Sequence, residues 1–181
     1  AVDECGAPEF FTGGVKLVPL NGDHGKLTPD TLQHGHERFR LGDPHQAQPA
    51  TVSLSQATEA GTVYKPDEIA AISGWAKEAG LRVHMDGARF ANAVVATGAT
   101  PADLTWRAGI DILSFGATKN GALAAEAVIV FDPNLGKDLL FRRKRAGHLF
   151  SKSRFFAAQF HAYLENDLWR KNAIHANSMA A

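Results

Sequence analysis

Short apolar runs alternate with helical periodicities along most of this chain. Val15-Lys16-Leu17-Val18-Pro19-Leu20, flanked by Gly13-Gly14 and Asn21-Gly22, predicts a first strand. Thr28-Pro29-Asp30 offers an N-cap with proline at the first helical position, and a helix is expected from about 29 to 40. Thr51-Val52-Ser53-Leu54-Ser55 predicts a second strand. Tyr64 to Glu68 then opens a helix whose apolar face is Ile69, Ile72, Ala76 and Ala79, with Gly80 suited to close it. Leu81 to Met85 reads as a third strand ending at Asp86, followed by a short helix through Ala91-Asn92-Ala93-Val94-Val95. Thr100-Pro101-Ala102-Asp103 predicts another short helix around Leu104 to Arg107. Ile110 to Phe115 is a fourth strand running towards Lys119, and Ala127 to Phe131 a fifth. Helix is expected again from Asn134-Leu135, and one long helix from Phe155 to Ala176.

Strands alternating with helices indicate an α/β fold with a mostly parallel sheet flanked by helices. In such sheets ligands gather at the carboxyl ends of the strands. Asp86, Lys119 and the loop after Ser55 all fall at those ends.

Composition narrows the function classes. A chain of 181 residues, 45% hydrophobic and 21% charged, fits a globular domain with a sizeable core. The formal net charge is zero, which argues against nucleic-acid binding through a basic face and is compatible with self-assembly. Cys5 is the only cysteine, so no disulfide can close within the chain, and a reducing, cytoplasmic setting is expected. No apolar run approaches the ~18 residues of a membrane span, so no membrane partner is expected. The chain opens on Ala1-Val2-Asp3-Glu4 without an initiator methionine and reads as the middle of something longer.

Two residues carry the candidate chemistry. Lys119 lies in Ser114-Phe115-Gly116-Ala117-Thr118-Lys119-Asn120-Gly121, where glycines allow backbone to approach a flat ligand and an amine can condense with an aldehyde. Asp86 lies in His84-Met85-Asp86-Gly87-Ala88-Arg89, where a carboxylate at the strand end can hold a pyridinium N–H. Arg89, three residues on, carries a planar fork suited to a carboxylate or a phenolate. Each has a plainer alternative: Lys119 as a turn lysine, Asp86 as a helix N-cap, Arg89 as one side of a structural ion pair. His84 shares a strand face with Asp86 and is read as a satisfied core histidine. His34 and His36 make a poor metal pair, and no metal site is expected. Arg142-Arg143-Lys144-Arg145 and His148 read as a solvated helix face or an interface.

Taken together, residues 84–93 and 113–121 resemble the low-specificity L-threonine aldolase family, in particular its phenylserine aldolase branch. Ser55-Gln56-Ala57-Thr58-Glu59-Ala60-Gly61 and Arg142 to His148 extend the likeness, which runs over essentially the whole chain. The resemblance implies a pyridoxal 5'-phosphate enzyme of fold type I, with this chain as the central part of the large domain of an aspartate-aminotransferase-like fold. It implies that Lys119 carries the cofactor as the internal aldimine, that Asp86 pairs with the pyridine nitrogen, and that Arg89 contacts the phenolic oxygen or the substrate carboxylate. It points to His45, in Asp43-Pro44-His45, as a histidine near the substrate hydroxyl and a candidate base. The implied reaction cleaves L-threonine or phenylserine-type β-hydroxy-α-amino acids to glycine and an aldehyde. Another fold-type-I lyase or aminotransferase would share Asp86 and Lys119, and an inactive assembly module is the remaining alternative. Family chains are nearly twice as long and assemble as homodimers or homotetramers. On that basis residues 1–150 are expected to be an incomplete cofactor-binding large domain and 151–181 a long helix leading towards a small C-terminal domain. The phosphate-binding segment and the substrate-carboxylate arginine are expected outside these residues, so the isolated chain is expected to bind the cofactor weakly or not at all.

Overall fold

The computed structural model describes residues 3–181. Its centre is a four-stranded sheet in the order β1-β2-β3-β4: β1 (Thr51–Ser55), β2 (Arg82–Gly87), β3 (Ile112–Gly116) and β4 (Glu126–Val130). β1, β2 and β3 are parallel, and β4 runs antiparallel to β3. The fifth expected strand thus departs from the parallel pattern. Residues 117–125 are too few for a crossover helix, so the chain must turn straight back beside β3.

The helices follow from local signals. In α2 (Pro29–His36) the Thr28 hydroxyl accepts from the Thr31 amide, closing a capping box ahead of Pro29. α3 (Pro66–Glu78) buries Ile69, Ile72 and Ala76 completely, and Gly80 terminates it at φ +73°. α4 (Phe90–Thr97) buries Phe90, Ala91, Ala93 and Val94. The first α-helix, α1 (Ala7–Thr12), and α5 (Leu139–Arg145) bury nothing.

One face of the sheet carries the core. Val52, Leu54, Val83, Met85, Leu113 and Phe115 pack there against Ile69, Ile72, Phe90 and Val94. On the other face the strands present polar residues, Ser53, His84, Asp86 and Ser114, with Ile112 among them. The strand period therefore delivers the chemistry-bearing side chains to one side and the anchoring ones to the other.

Three expectations need correction. Val15 to Leu20 is not a strand. Val15 and Leu17 are exposed there, and among the described residues no strand pairs with this segment, so β-propensity has no ladder to join. The turn expected to be helical near Leu104 is only a 3₁₀ turn over Trp106–Ala108. The single helix expected from Phe155 to Ala176 is two, α6 (Arg154–Leu164) and α7 (Leu168–Ala180). Asn166 and Asp167 break it at φ 51° and 56°, a left-handed conformation that Asn and Asp tolerate better than most residues. The bend lets Tyr163 of α6 and Trp169 and Asn172 of α7 converge on one point of the β3–β4 connection. Among the described residues no helix is long and apolar enough to cross a membrane.

Candidate active site

That point of convergence is Asn120, the neighbour of Lys119. Asn120 is buried, and its Nδ2 donates to Tyr163 Oη at 2.6 Å and to the Trp169 carbonyl at 2.7 Å. Asn172 Nδ2 in turn donates to the Asn120 carbonyl at 2.9 Å. The turn is closed further by the Ala117 amide donating to the Ala125 carbonyl and by Gly121 at φ +109°. A side chain beside the lysine is thus bolted to two helices, while Lys119 itself is exposed and, among the described residues, bonds to nothing.

Asp86 is positioned by the end of β2. The Gln56 amide donates to the Asp86 carbonyl at 2.8 Å, tying the loop after β1 to the strand end. Gln56 is fully buried and its amide side chain brackets Tyr64, donating to that residue's carbonyl and accepting from its N–H. One carboxylate oxygen of Asp86, Oδ1, accepts from the Ala88 amide at 2.9 Å in a local turn. The other oxygen accepts no hydrogen bond among the described residues. The capping alternative is therefore half right: Asp86 caps the turn into α4 and still presents an open acceptor.

The strand ends of β2 and β3 come very close. A Cβ on Gly116 would lie 2.8 Å from Ala88 Cα and 2.9 Å from Glu126 Oε2, and one on Gly87 would lie 2.6 Å from Leu113 Cδ1. Gly116 was expected to let backbone approach a ligand; in the structure it lets β3 approach the Asp86–Ala88 turn.

Arg89 is committed to a partner that sequence reasoning left unassigned. Its two terminal nitrogens donate to the two carboxylate oxygens of Glu59, at 2.9 and 3.4 Å. Arg89's hydrogen bond and charge hold Glu59 below the usual carboxylate range, and the Lys119 ammonium adds to the effect from nearby. Glu59, Arg89 and Lys119 therefore share one electrostatic neighbourhood at the carboxyl ends of β1, β2 and β3. The signal available in the sequence was the loop after Ser55, already placed at those ends.

His45 is not joined to this group. It is exposed on the loop that enters β1 at its amino end, and its amide donates to Asp43 Oδ1 at 2.9 Å. Among the described residues no hydrogen bond or ion pair connects it to Asp86, Arg89 or Lys119. His84, read from the sequence as a core histidine, is satisfied but not in the core. Its Nδ1 meets Ser53 Oγ at 2.8 Å and its Nε2 meets Ser114 Oγ at 2.9 Å, on the polar face one pleat from Asp86. Among the described residues no group of three or more His, Cys, Asp and Glu is placed to hold a metal ion. Of the basic run, Arg143 and Lys144 donate to the carbonyls of His148 and Leu149, bracing the exit of α5.

An open carboxylate acceptor, a free amine and a clamped arginine at adjacent parallel strand ends match what pyridoxal 5'-phosphate requires of a protein: an acceptor for the ring N–H and an amine for the aldehyde. Sequence comparison agrees with this chemistry. The family model described as beta-eliminating lyase matches residues 1–181. This chain belongs to the beta-eliminating lyase family. The family's enzymes are dependent on pyridoxal 5'-phosphate. Low specificity L-threonine aldolases from Pseudomonas sp. and Pseudomonas aeruginosa are each 49% identical to it over 178 residues. Those matches take in 98% of this chain and 51% of each relative, so the chain spans about half the length of the curated relatives it matches. The solved structure of a threonine aldolase from Leishmania major superposes with a TM-score of 0.90 at 30% identity, covering 99% of this chain and 51% of that one. The α/β arrangement is thus that of a threonine aldolase, an aspartate-aminotransferase-like fold.

Proposed function

We propose that this chain supplies the central part of a pyridoxal 5'-phosphate-dependent aldolase that cleaves L-threonine or phenylserine-type β-hydroxy-α-amino acids to glycine and an aldehyde. The observation that carries the reading is the placement of Asp86 and Lys119 at the ends of adjacent parallel strands, in a chain 49% identical to proteins named as threonine aldolases. When bound, the cofactor supplies the electron sink that makes a Cα–Cβ bond breakable.

The chain's own residues supply the rest. Lys119 Nζ would hold the cofactor at its aldehyde carbon. Asp86 would offer its open oxygen as the acceptor for the N–H of the ring. Arg89 and Glu59 border the same space. Their ion pair is a ready anchor for the amino acid: Arg89 can exchange Glu59 for a carboxylate, and Glu59 can accept a hydrogen bond from a β-hydroxyl. Positioned proton acceptors contribute about 10²–10⁴-fold. His45, distant from this group within the chain, keeps a role only if the assembled protein brings it to a site. Assembly as a homodimer or homotetramer is part of the proposal; exposed Phe10, Phe11 and Phe141 suit such contacts.

The family name favours a second reading, β-elimination, which uses the same Asp86 and Lys119. Product analysis on the protein carrying this chain decides. L-threonine or phenylserine should yield glycine and the matching aldehyde, and borohydride should fix the cofactor to wild type but not to Lys119→Ala. Pyruvate or another keto acid as the main product would replace the aldolase reading with an eliminating one.

A further inference from the structure

His84 forms a feature the aldolase reading does not use. It stands on the polar face of β2, two residues before Asp86, with its ring held at both nitrogens. Ser53 is its register partner on β1, and Ser114, on β3, is the register partner of Asp86. Three side chains therefore form a hydrogen-bonded bar across three strands, and the bar ends beside the candidate pyridine anchor.

A neutral imidazole carries one N–H, so the bar has a direction. If Nδ1 holds the proton, it donates to Ser53, and Ser114 donates back into the ring. If Nε2 holds it, Ser53 donates to Nδ1, Nε2–H donates to Ser114, and the Ser114 proton is left pointing away from the ring. Side chains in register on neighbouring strands stand about 5 Å apart. A carboxylate at that spacing favours the second direction, because it turns a hydroxyl proton towards the negative charge and not an oxygen lone pair. Burial keeps the His84 ring neutral by lowering its pKa, and the charge of Asp86 only partly offsets this. The ring is therefore a fixed dipole and not a competing cation.

We propose that Ser53, His84 and Ser114 are a positioning set for Asp86: the His84 ring is locked with its proton on Nε2, and the freed Ser114 hydroxyl turns its proton towards the register-paired Asp86 side chain, biasing how that carboxylate faces a ring nitrogen. The inference deepens the proposed function and rests on its assignment of Asp86 as the ring-nitrogen anchor. The set acts through Asp86 and touches neither cofactor nor substrate.

The test compares two ligands of the apoprotein: pyridoxal 5'-phosphate and the analogue in which the ring nitrogen is replaced by C–H. Fluorescence titration gives the ratio of their affinities. Wild type should prefer the nitrogen-containing ring by about 10- to 100-fold, the range of a charge-assisted hydrogen bond. Ser114→Ala and His84→Asn should cut that ratio by about three- to tenfold. His84→Gln, whose amide nitrogen reaches the Nε2 position, should restore most of it. A purely structural role would weaken both ligands equally and leave the ratio unchanged. Nitrogen NMR of the labelled apoprotein needs no variant, beyond His84→Gln to assign the resonance, and should show the Nε2–H form of His84. A ratio near one in wild type would overturn the Asp86 assignment itself. A large wild-type ratio that survives Ser114→Ala and His84→Asn, or an Nδ1–H ring, would overturn this inference and leave the aldolase reading standing.

Discussion

β2 and β4 are both short strands of one sheet, yet they do opposite jobs. β2 is paired on both sides, and Val83, Met85 and Gly87 are buried in alternation along it. β4 is an edge, with Val128 55% and Ile129 37% exposed. Beside it lies an apolar groove of about 590 Å³, lined by Leu113, Ala127, Ile129, Phe131, Phe160 and Trp169. The strand that delivers Asp86 is thus the one whose register is determined on both flanks, because a one-residue slip would move every buried side chain to the polar face. A side chain on a strand held on both flanks is placed more precisely than one on a loop.

The contrast can be broken or sharpened by mutation. The largest effect should come from the helix that covers β2: Ile72→Ala should cost about 2–5 kcal/mol in urea unfolding, the usual range for a fully buried aliphatic. Ile129→Ala on β4 should cost well under half as much, and equal losses would refute the distinction between the two strands. Next, Gly116→Ala forces a methyl against Ala88 and Glu126 and should cost about 1–3 kcal/mol, with Asp86 and Lys119 pushed apart. A crystal structure of the variant with that spacing unaltered would sink the idea that Gly116 sets it.

Asn120→Ala should follow at about 1–3 kcal/mol, because Tyr163 and the Trp169 carbonyl lose a shared partner. Amide exchange at residues 117–121 should accelerate in the same variant; unchanged protection would mean that α6 and α7 do not hold the lysine turn. A smaller effect concerns pH. His84 has its folded pKa depressed below the ordinary 6.5, chiefly by burial. The unfolded chain therefore binds the proton more readily, and this contribution is complete above pH 6.5 and lost as pH falls through the folded pKa. Stability measured from pH 7 to 5 should decline less steeply in His84→Gln than in wild type. Smallest of all, Glu59→Gln should leave the melting temperature unchanged, since its pair with Arg89 is at the surface, while Arg89 gains freedom that substrate affinity should report.

Legibility from sequence followed the same divide. β1 was readable to the residue because a strict alternation over Thr51–Ser55 matches a half-buried strand. α2 and α3 were readable because their caps are local chemistry, Thr28-Pro29 and Lys65-Pro66. Val15 to Leu20 had the same apolar character as β4 and forms no strand, since a strand needs a partner that its own residues cannot supply. The α6–α7 break is not legible in sequence because Glu165-Asn166-Asp167 fits a helical period, and only the pull of Tyr163 and Trp169 towards Asn120 shows why the chain bends there. At the site, Asp86, Arg89 and Lys119 were identified as residue types at strand ends, whereas Glu59 and the serines flanking His84 were not. Their significance lies in pairings across 30 or more residues, such as Arg89 with Glu59 and His84 with Ser53.

The amino-acid sequence by itself determined the α/β class and the strands at whose ends Asp86 and Lys119 lie. These depend on periodicity, capping and side-chain type, which act over a few neighbouring residues. Only the tertiary structure decided that β4 runs antiparallel at an edge, that Arg89 is held by Glu59, that His45 stands apart, and that His84 bridges three strands. Each of those outcomes is a contact between segments far apart in the chain, and its free energy exists only once the sheet has brought them together.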